Sequence, residues 1–349
     1  MSKPLRILIS AVEPSGDHLA AKLIRELQQH TGLEAIGITG PKMRKAGVQT
    51  LSQMKTISAM GITEVLRKLP ALFRAKNQLL RTMDGTIDCY IGVDAPDFHL
   101  PILAKAKGQG IPAIGYVSPQ IWAWRPNRAQ KIASQVDTLL CLFDFEPSLY
   151  PSTCNAVWVG HPVIEDVPPR SPPVRHRFGL LPGSRQQEIK KHLPLFIKTA
   201  QRIREHHTHA QFVLSCPEHL PLPKIPDFIQ LSRDGVQAMH DVQAVLSKSG
   251  TVTLELALMN IPMVVAHIVN PLTYAIGKKL VTGINHISLP NILSKREVVP
   301  EFIQTPTPET LANALLNVSH QTIDLTSIQK EHPIQDAAKA ILQTLSAKK

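Results

Sequence analysis

The sequence predicts an α/β protein of two doubly wound domains, and three observations carry that reading. Short apolar runs of strand length alternate with helix-length patterns along most of the chain. The alternation breaks once, where five prolines fall in the twelve residues from Pro162 to Pro173. A length of 349 residues leaves each side of that break enough chain to bury its own core.

In the first half, Leu5–Ser10, Ala35–Thr39, Asp88–Val93, Ile111–Val117, Thr138–Leu142 and Ala156–Val159 read as buried strands. Parallel strands covered by helices on both faces are continuously apolar rather than alternating. Helix patterns lie between several of them, the first marked by Leu19, Leu23, Ile24 and Leu27. Proline fixes φ and removes an amide donor, so Pro162–Pro173 reads as a linker. The domains are therefore expected at 1–165 and 166–332. In the second, strands are expected at Phe178–Leu181, Gln211–Ser215, Ala244–Ser247 and Pro262–His267, with helices near Gln187–His206, Thr251–Met259 and Pro271–Leu280. A closing helix at about 333–347 is free to pack back on the first domain. Two such domains facing a cleft would make that cleft the default place for a ligand.

Lys and Arg outnumber Asp and Glu by 38 to 27, a net charge of +11 that favours acidic partners. Phosphorylated substrates, anionic membranes and nucleic acid all qualify. No basic patch is interleaved with stacking aromatics, so nucleic acid is not expected as a partner. The four cysteines show no metal-like spacing. Cys89 and Cys141 sit in apolar runs, as buried thiols of a reducing compartment do. No apolar run approaches the roughly 18 residues of a spanning helix, and Leu5–Ile9 is too short for a signal peptide. A cytoplasmic protein with peripheral membrane contact is expected.

Several segments could carry chemistry. After the first strand, Ser15, Gly16 and Asp17 open a helix; Ser15 or Asp17 could cap it, and its amides could attract an anion. The spacing is not that of a dinucleotide loop. Asp94 and Asp97 follow the Asp88–Val93 strand, at the end of an α/β sheet where ligands bind. A carboxylate there can accept a hydroxyl proton; either residue could equally cap the next helix, and capping is favoured for Asp97. Trp122, Trp124 and Arg125 suit a sugar face with a phosphate, or a membrane interface, against the alternative of core packing.

Gly183, Ser184 and Arg185 follow the first strand of the second half, where small residues let backbone amides approach a phosphate. Ser249, Gly250 and Thr251 repeat that arrangement, with Glu255 one helical turn on, placed to accept from ribose hydroxyls. Each could be an ordinary capped turn; together they favour a nucleotide diphosphate. From Met60 to Met83 apolar residues, among them Leu69, Leu72 and Phe73, interleave with Arg67, Lys68, Arg74, Lys76 and Arg81. That is a helix for an anionic interface, or a core helix kinked at Pro70. His206, His207 and His209 fall at a helix end, where a solvated or dipole-complementing role is expected rather than a metal.

The motifs as an ordered set resemble the lipid-A-disaccharide synthase family. The matching segments are residues 13–17 (Glu-Pro-Ser-Gly-Asp), 60–66, 92–98, 116–119 with 122–125, 160–162, 180–185, 249–251, 262–265 and 288–293. The resemblance implies the GT-B fold, with an N-terminal acceptor domain and a C-terminal UDP-sugar domain. It implies UDP-2,3-diacylglucosamine as donor and 2,3-diacylglucosamine 1-phosphate (lipid X) as acceptor. The products would be a β-1,6-linked disaccharide 1-phosphate and UDP, formed with inversion and with no cofactor or metal.

By the same resemblance Asp94 is the catalytic base, while Arg185 and Asn291 are needed for activity, Asn291 through hydrogen bonds to donor or acceptor. Gly183, Ser184, Arg185, Ser249, Gly250, Thr251 and Glu255 hold the UDP-sugar; Ser15, Gly16, Trp124 and Arg125 hold the acceptor. Leu69, Leu72, Phe73 and Arg74 would meet the cytoplasmic face of an anionic inner membrane, and a homodimer is among the assemblies open to the chain. Three features depart from the family pattern. Val12 replaces the usual Gly, which should hold the first loop further from its ligand. Phe143-Asp144-Phe145-Glu146 replaces Leu-Pro-Phe-Glu, and the stretch from His161 to Leu180 is short.

Overall fold

The computed structural model describes residues 3–57, 62–123, 125–270, 274, 285–318, 323 and 325–348, with backbone alone for 62–68. Trp124 and nearly all of the expected 271–280 helix lie outside the described residues. The chain divides into two compact units, Met1–Pro162 with Ile328–Lys349, and Val163–Ser327.

The first unit is a parallel sheet of β1 (Leu5–Ala11), β2 (Leu33–Thr39), β3 (Gln49–Gln53), β4 (Cys89–Val93), β5 (Ala113–Tyr116), β6 (Thr138–Cys141) and β7 (Asn155–Trp158). Its order is β3-β2-β1-β4-β5-β6-β7. Around it run α1 (Pro14–His30), α2 (Pro41–Lys45), α3 (Met54–Ile57), α4 (Ile62–Thr82), α5 (Pro96–Gly108) and α6 (Ala129–Gln135). Ile7, Leu8 and Ile9 of β1 and Tyr90 and Ile91 of β4 are fully buried, as central strands covered on both faces require. Strand order reverses at the β1/β4 junction, which makes the carboxyl ends of these two strands a topological switch point. A closing helix, numbered last below, returns to this unit: its Thr344 hydroxyl bonds that of Thr138 on β6 at 2.8 Å.

The second unit repeats the plan with β8 (Val174–Leu181), β9 (Gln211–Ser215), β10 (Ile229–Ser232), β11 (Val242–Lys248), β12 (Met263–His267) and β13 (Glu301–Ile303). Their order is β10-β9-β8-β11-β12-β13, which sets the switch point between β8 and β11. The helices here are α7 (Gln186–His206), α8 (Val252–Leu258), α9 (Leu289–Ser294) and α10 (Pro308–Asn317); α11 (Pro333–Ser346) is the closing helix. Phe178, Phe196 and Phe212 fill the core. The proline-rich segment leads into β8 along the start of β11, where Ser171 N donates to His240 O at 2.9 Å and Val174 N to Asp241 O at 2.7 Å.

Three strands were not expected from the sequence: β3, β10 and β13. Each is a sheet edge with half-buried or exposed positions, so none carries a continuous apolar run.

Candidate active site

At the first switch point β1 ends at Ala11 and α1 begins at Pro14, whose lack of an amide suits the first helical position. Glu13 is the N-cap, without a side-chain cap bond. The expectation that Ser15 or Asp17 caps this helix is therefore corrected. Asp17 is buried and caps α2 instead, accepting from Gly40 N (3.0 Å), Lys42 N (2.9 Å) and Met43 N (3.0 Å). The Ser15 hydroxyl donates to Asp94 Oδ2 at 3.3 Å. A Cβ on Gly16 would come within 3.2 Å of Val93 O and 3.7 Å of Asp94 Cβ, so glycine lets α1 close onto the end of β4.

Asp94 itself is half-buried and lies in the left-handed region, φ 58°, as does Ala95, φ 40°. Two consecutive non-glycine residues there cost roughly 1–3 kcal/mol each. The turn is held by Asp94 N donating to Tyr116 O and Ala95 N donating to Asp94 Oδ1, both 2.8 Å. Asp97 does not cap α5, as favoured from the sequence; the N-cap is Ala95, and Asp97 pairs with Arg128 at 3.0 Å. That pair fastens the 126–128 turn to the first turn of α5 and so brings the Arg125 segment to the edge that carries Asp94.

A polar cluster that sequence reasoning missed braces this turn. Ser10 Oγ, Tyr90 Oη and His99 Nδ1 meet at 2.7, 2.8 and 3.2 Å, all of them buried. Burial pulls the His99 imidazole down to about 3, so the ring is neutral. The cluster joins β1, β4 and α5 just behind residues 94–95. Its only sequence signal is polar residues inside otherwise apolar runs.

After β5, Trp122 stands edge-on to the stacked pair Phe143 and Phe145, with centroids at 6.2 and 5.8 Å. Phe143, which stands where the family pattern has Leu, thus joins Phe145 in an aromatic seat for the tryptophan loop. Glu146 closes the seat, accepting from Leu142 N, Phe143 N and Trp122 Nε1. Burial pushes its carboxyl up to about 7 against the lowering effect of those bonds. Val12 is buried in the core of the first unit.

At the second switch point Gly183 has φ 126°, and a Cβ there would clash with Glu188 Cβ at 2.6 Å. Ser184 N donates to Glu188 Oε2 at 3.0 Å. Arg185 is the exposed N-cap of α7. Across the junction, Ser249 is buried and its hydroxyl donates to Ile287 O at 2.7 Å. Thr251 is the exposed N-cap of α8, with half-buried Glu255 in the first turn.

Asn291 lies elsewhere than expected. It is fully buried; Oδ1 accepts from Val298 N (2.7 Å) and Val299 N (2.9 Å), and Nδ2 donates to Val299 O (2.8 Å). The expected hydrogen bonds to donor or acceptor are corrected to backbone bonds: the short amide sits on α9 and is used up in fastening the loop that follows it. Glu301, not anticipated, does similar work, accepting from Ile287 N (3.0 Å) and from Ser288 N (2.8 Å) and Oγ (2.5 Å). Together they brace the run that presents Ile287 O to Ser249.

These junctions match a known family. The model for "Lipid-A-disaccharide synthetase" fits residues 7–348. The chain belongs to the lipid-A-disaccharide synthase family. Lipid-A-disaccharide synthase of Xylella fastidiosa is 39% identical, covering 94% of this chain and 92% of its own length. That of Pseudomonas aeruginosa is 38% identical over 98% and 99%. The Alteromonas mediterranea synthase is 35% identical over 99% and 100%, in an alignment of 383 positions. That exceeds the 349 residues here, so this relative has residues without a counterpart in the shorter chain.

Among solved structures, the UDP-GlcNAc 2-epimerase of Methanocaldococcus jannaschii superposes with a TM-score of 0.60 at 11% identity, over 99% of this chain and 100% of that one. The glycotransferase of kitacinnamycin gives 0.57 at 14% identity, over 99% and 96%. Such identities show the GT-B type of fold alone. Epimerases and transferases share it, so the reaction is read from the family: this synthase-family chain is a glycosyltransferase of lipid A biosynthesis.

Proposed function

We propose that the chain joins UDP-2,3-diacylglucosamine to 2,3-diacylglucosamine 1-phosphate, giving the β-1,6 disaccharide 1-phosphate and UDP. The observation that carries this reading is Asp94: a half-buried carboxylate held at the first switch point beside the opening of α1. Its Oδ1 is engaged by the Ala95 amide, which orients Oδ2 toward Ser15 and the helix end. Oδ2 takes the proton from the acceptor's 6-hydroxyl as that oxygen attacks the donor's anomeric carbon from the face opposite UDP, which inverts the centre.

The acceptor phosphate is assigned to the α1 opening at Ser15 and Gly16, with Trp124 and Arg125 completing the acceptor site. In the second unit Gly183, Ser184, Arg185, Ser249, Gly250, Thr251 and Glu255 form the UDP-sugar site. Charge developing on departing UDP is met by Arg185 and backbone amides. Asn291 acts on this site through the backbone it closes.

A lipid substrate calls for a membrane surface, and no described helix is long and apolar enough to cross one. Phe73 on α4 is 60% exposed, and Arg74 beside it is exposed as well. They are assigned to the interface of an anionic inner membrane on its cytoplasmic face, together with half-buried Leu69. Leu72 is not a free contact, because it packs against the core of the first unit.

The test is incubation with both substrates and mass analysis of the product. UDP release should depend strictly on the lipid acceptor; release without it would point to an epimerase-like reaction. Asp94→Asn should lose at least about 100-fold in turnover, the usual size of a general-base contribution, while UDP still binds. Turnover near that of the unaltered protein would remove Asp94 as the base.

A further inference from the structure

A cation that belongs to neither glycine turn of the second unit lies beside both. Lys248 is the last residue of β11, directly before Ser249. Its Nζ meets Glu188 Oε1 at 2.9 Å. The other oxygen of that carboxylate accepts from Ser184 N at 3.0 Å. On the opposite side, a Cβ built on Gly250 would stand 3.7 Å from the same Nζ. The ammonium is thus lodged between the Gly183-Ser184 turn and the Ser249-Gly250 turn, one carboxylate away from the first and in contact range of the second.

We propose that Lys248 binds the diphosphate of the nucleotide-sugar donor, with Glu188 as its counter-ion in the ligand-free protein. The proposal rests on the donor reading of the second unit given above. The side chains of Lys248 and Glu188 are 19% and 16% exposed, so the pair is shielded yet open to approach, unlike a sealed structural pair. An ammonium has three donors, and Glu188 takes one. Gly250 keeps the space against the ammonium open to a ligand's phosphates, while Gly183 makes room for the Glu188 carboxylate itself. Arg185, at the end of the same turn, supplies a second cation for the diphosphate. The electron pair of the broken glycosidic bond stays on the β-phosphate oxygen, and a shielded cation there stabilises it more than a solvated one does.

The pair also tells a counter-ion from a scaffold. If Lys248 only props the 183–184 turn, its loss should disturb everything that binds there, phosphate or not. If it reads phosphate, its loss should be felt by UDP and not by uridine.

The experiment uses the full chain and NMR titrations with UDP and with uridine. Lys248→Met should weaken UDP by at least about tenfold, the size of a charge-assisted hydrogen bond, and leave uridine binding unchanged. Lys248→Arg should stay within a few-fold for both ligands. Glu188→Gln keeps an acceptor for Ser184 N while releasing the ammonium, so UDP should bind equally well or more tightly. Unchanged UDP affinity in Lys248→Met, or equal losses for UDP and uridine, overturns the proposal. So does a Glu188→Gln variant weakened for UDP, and that variant decides alone should Lys248→Met not fold. An unaltered protein that binds no UDP would overturn the donor reading itself, and this inference with it.

Discussion

Replacing Asn291 by alanine separates two ways in which an asparagine can matter to an enzyme. The side chain is fully buried and satisfies three backbone groups: the amides of Val298 and Val299 and the carbonyl of Val299. Truncation leaves all three without a partner among buried neighbours. At roughly 1–3 kcal/mol for each unsatisfied group, the loss is at least about 3 kcal/mol. A domain the size of the second unit melts about 2–4 °C lower per kcal/mol, so its transition should fall by at least about 6 °C. A two-unit chain need not melt in one step, so the assay is calorimetry with and without UDP. The transition that UDP raises belongs to the unit that binds it. Turnover should fall together with that transition. An Asn291→Ala protein whose UDP-sensitive transition stays within about 2 °C, yet whose turnover is lost, would refute the reasoning, because the amide would then be acting on substrate.

Two further outcomes follow from the first unit. The Glu146 carboxyl sits at about 7 in the folded protein, above its ordinary 4.5, because burial disfavours its charge. Its contribution to stability is therefore complete below about 4.5 and is lost as pH rises through 7. That loss is roughly 3 kcal/mol, one pKa unit being about 1.4 kcal/mol. Glu146→Gln keeps an acceptor for the Leu142 and Phe143 amides, so denaturant unfolding should show it gaining on the unaltered protein between pH 5 and 8. Parallel pH curves would contradict this. Phe73→Ser should reduce co-sedimentation with anionic phospholipid vesicles severalfold without lowering the melting temperature, since Phe73 is exposed. Undiminished sedimentation would take α4 out of the interface.

The central strands were legible because their burial is written in the sequence. β1, β4, β8 and β11 carry unbroken apolar stretches at the middle of each sheet, and the turns that follow them are marked by small residues. Three of the four edges were not: Gln49–Gln53, Ile229–Ser232 and Glu301–Ile303 are paired on one side only, and polar residues satisfy that environment. The site divides in the same way. Asp94, Gly183 and Gly250 lie within two residues of strand ends, so a strand assignment places them. Asp17 caps a helix more than 20 residues away, and Glu188 meets Lys248 across 60. Such pairings depend on which strands are neighbours, which no local spacing reveals. Leu72 and Phe73 differ by one position on α4, one packed and one exposed, and the apolar pattern there is too dense to separate the two faces.

The two switch points differ in their backbones. In the second unit the turn after β8 packs against the Glu188 side chain, so glycine takes the positive φ at residue 183, where a Cβ would clash. In the first unit the turn after β4 carries a carboxylate, and a carboxylate needs a Cβ. Glycine is therefore excluded at residue 94, and the left-handed conformation of Asp94 and Ala95 has to be held by its surroundings. Those surroundings are over-determined: the Tyr116 carbonyl fixes Asp94 N, the aspartate fixes the next amide, and Ser10, Tyr90 and His99 lock α5 to β1 and β4. Buried polar clusters seldom add much net stability, so this one is better explained by the geometry it enforces. The Asp94 carboxylate is thereby held at the end of β4, as the proposed role of base requires.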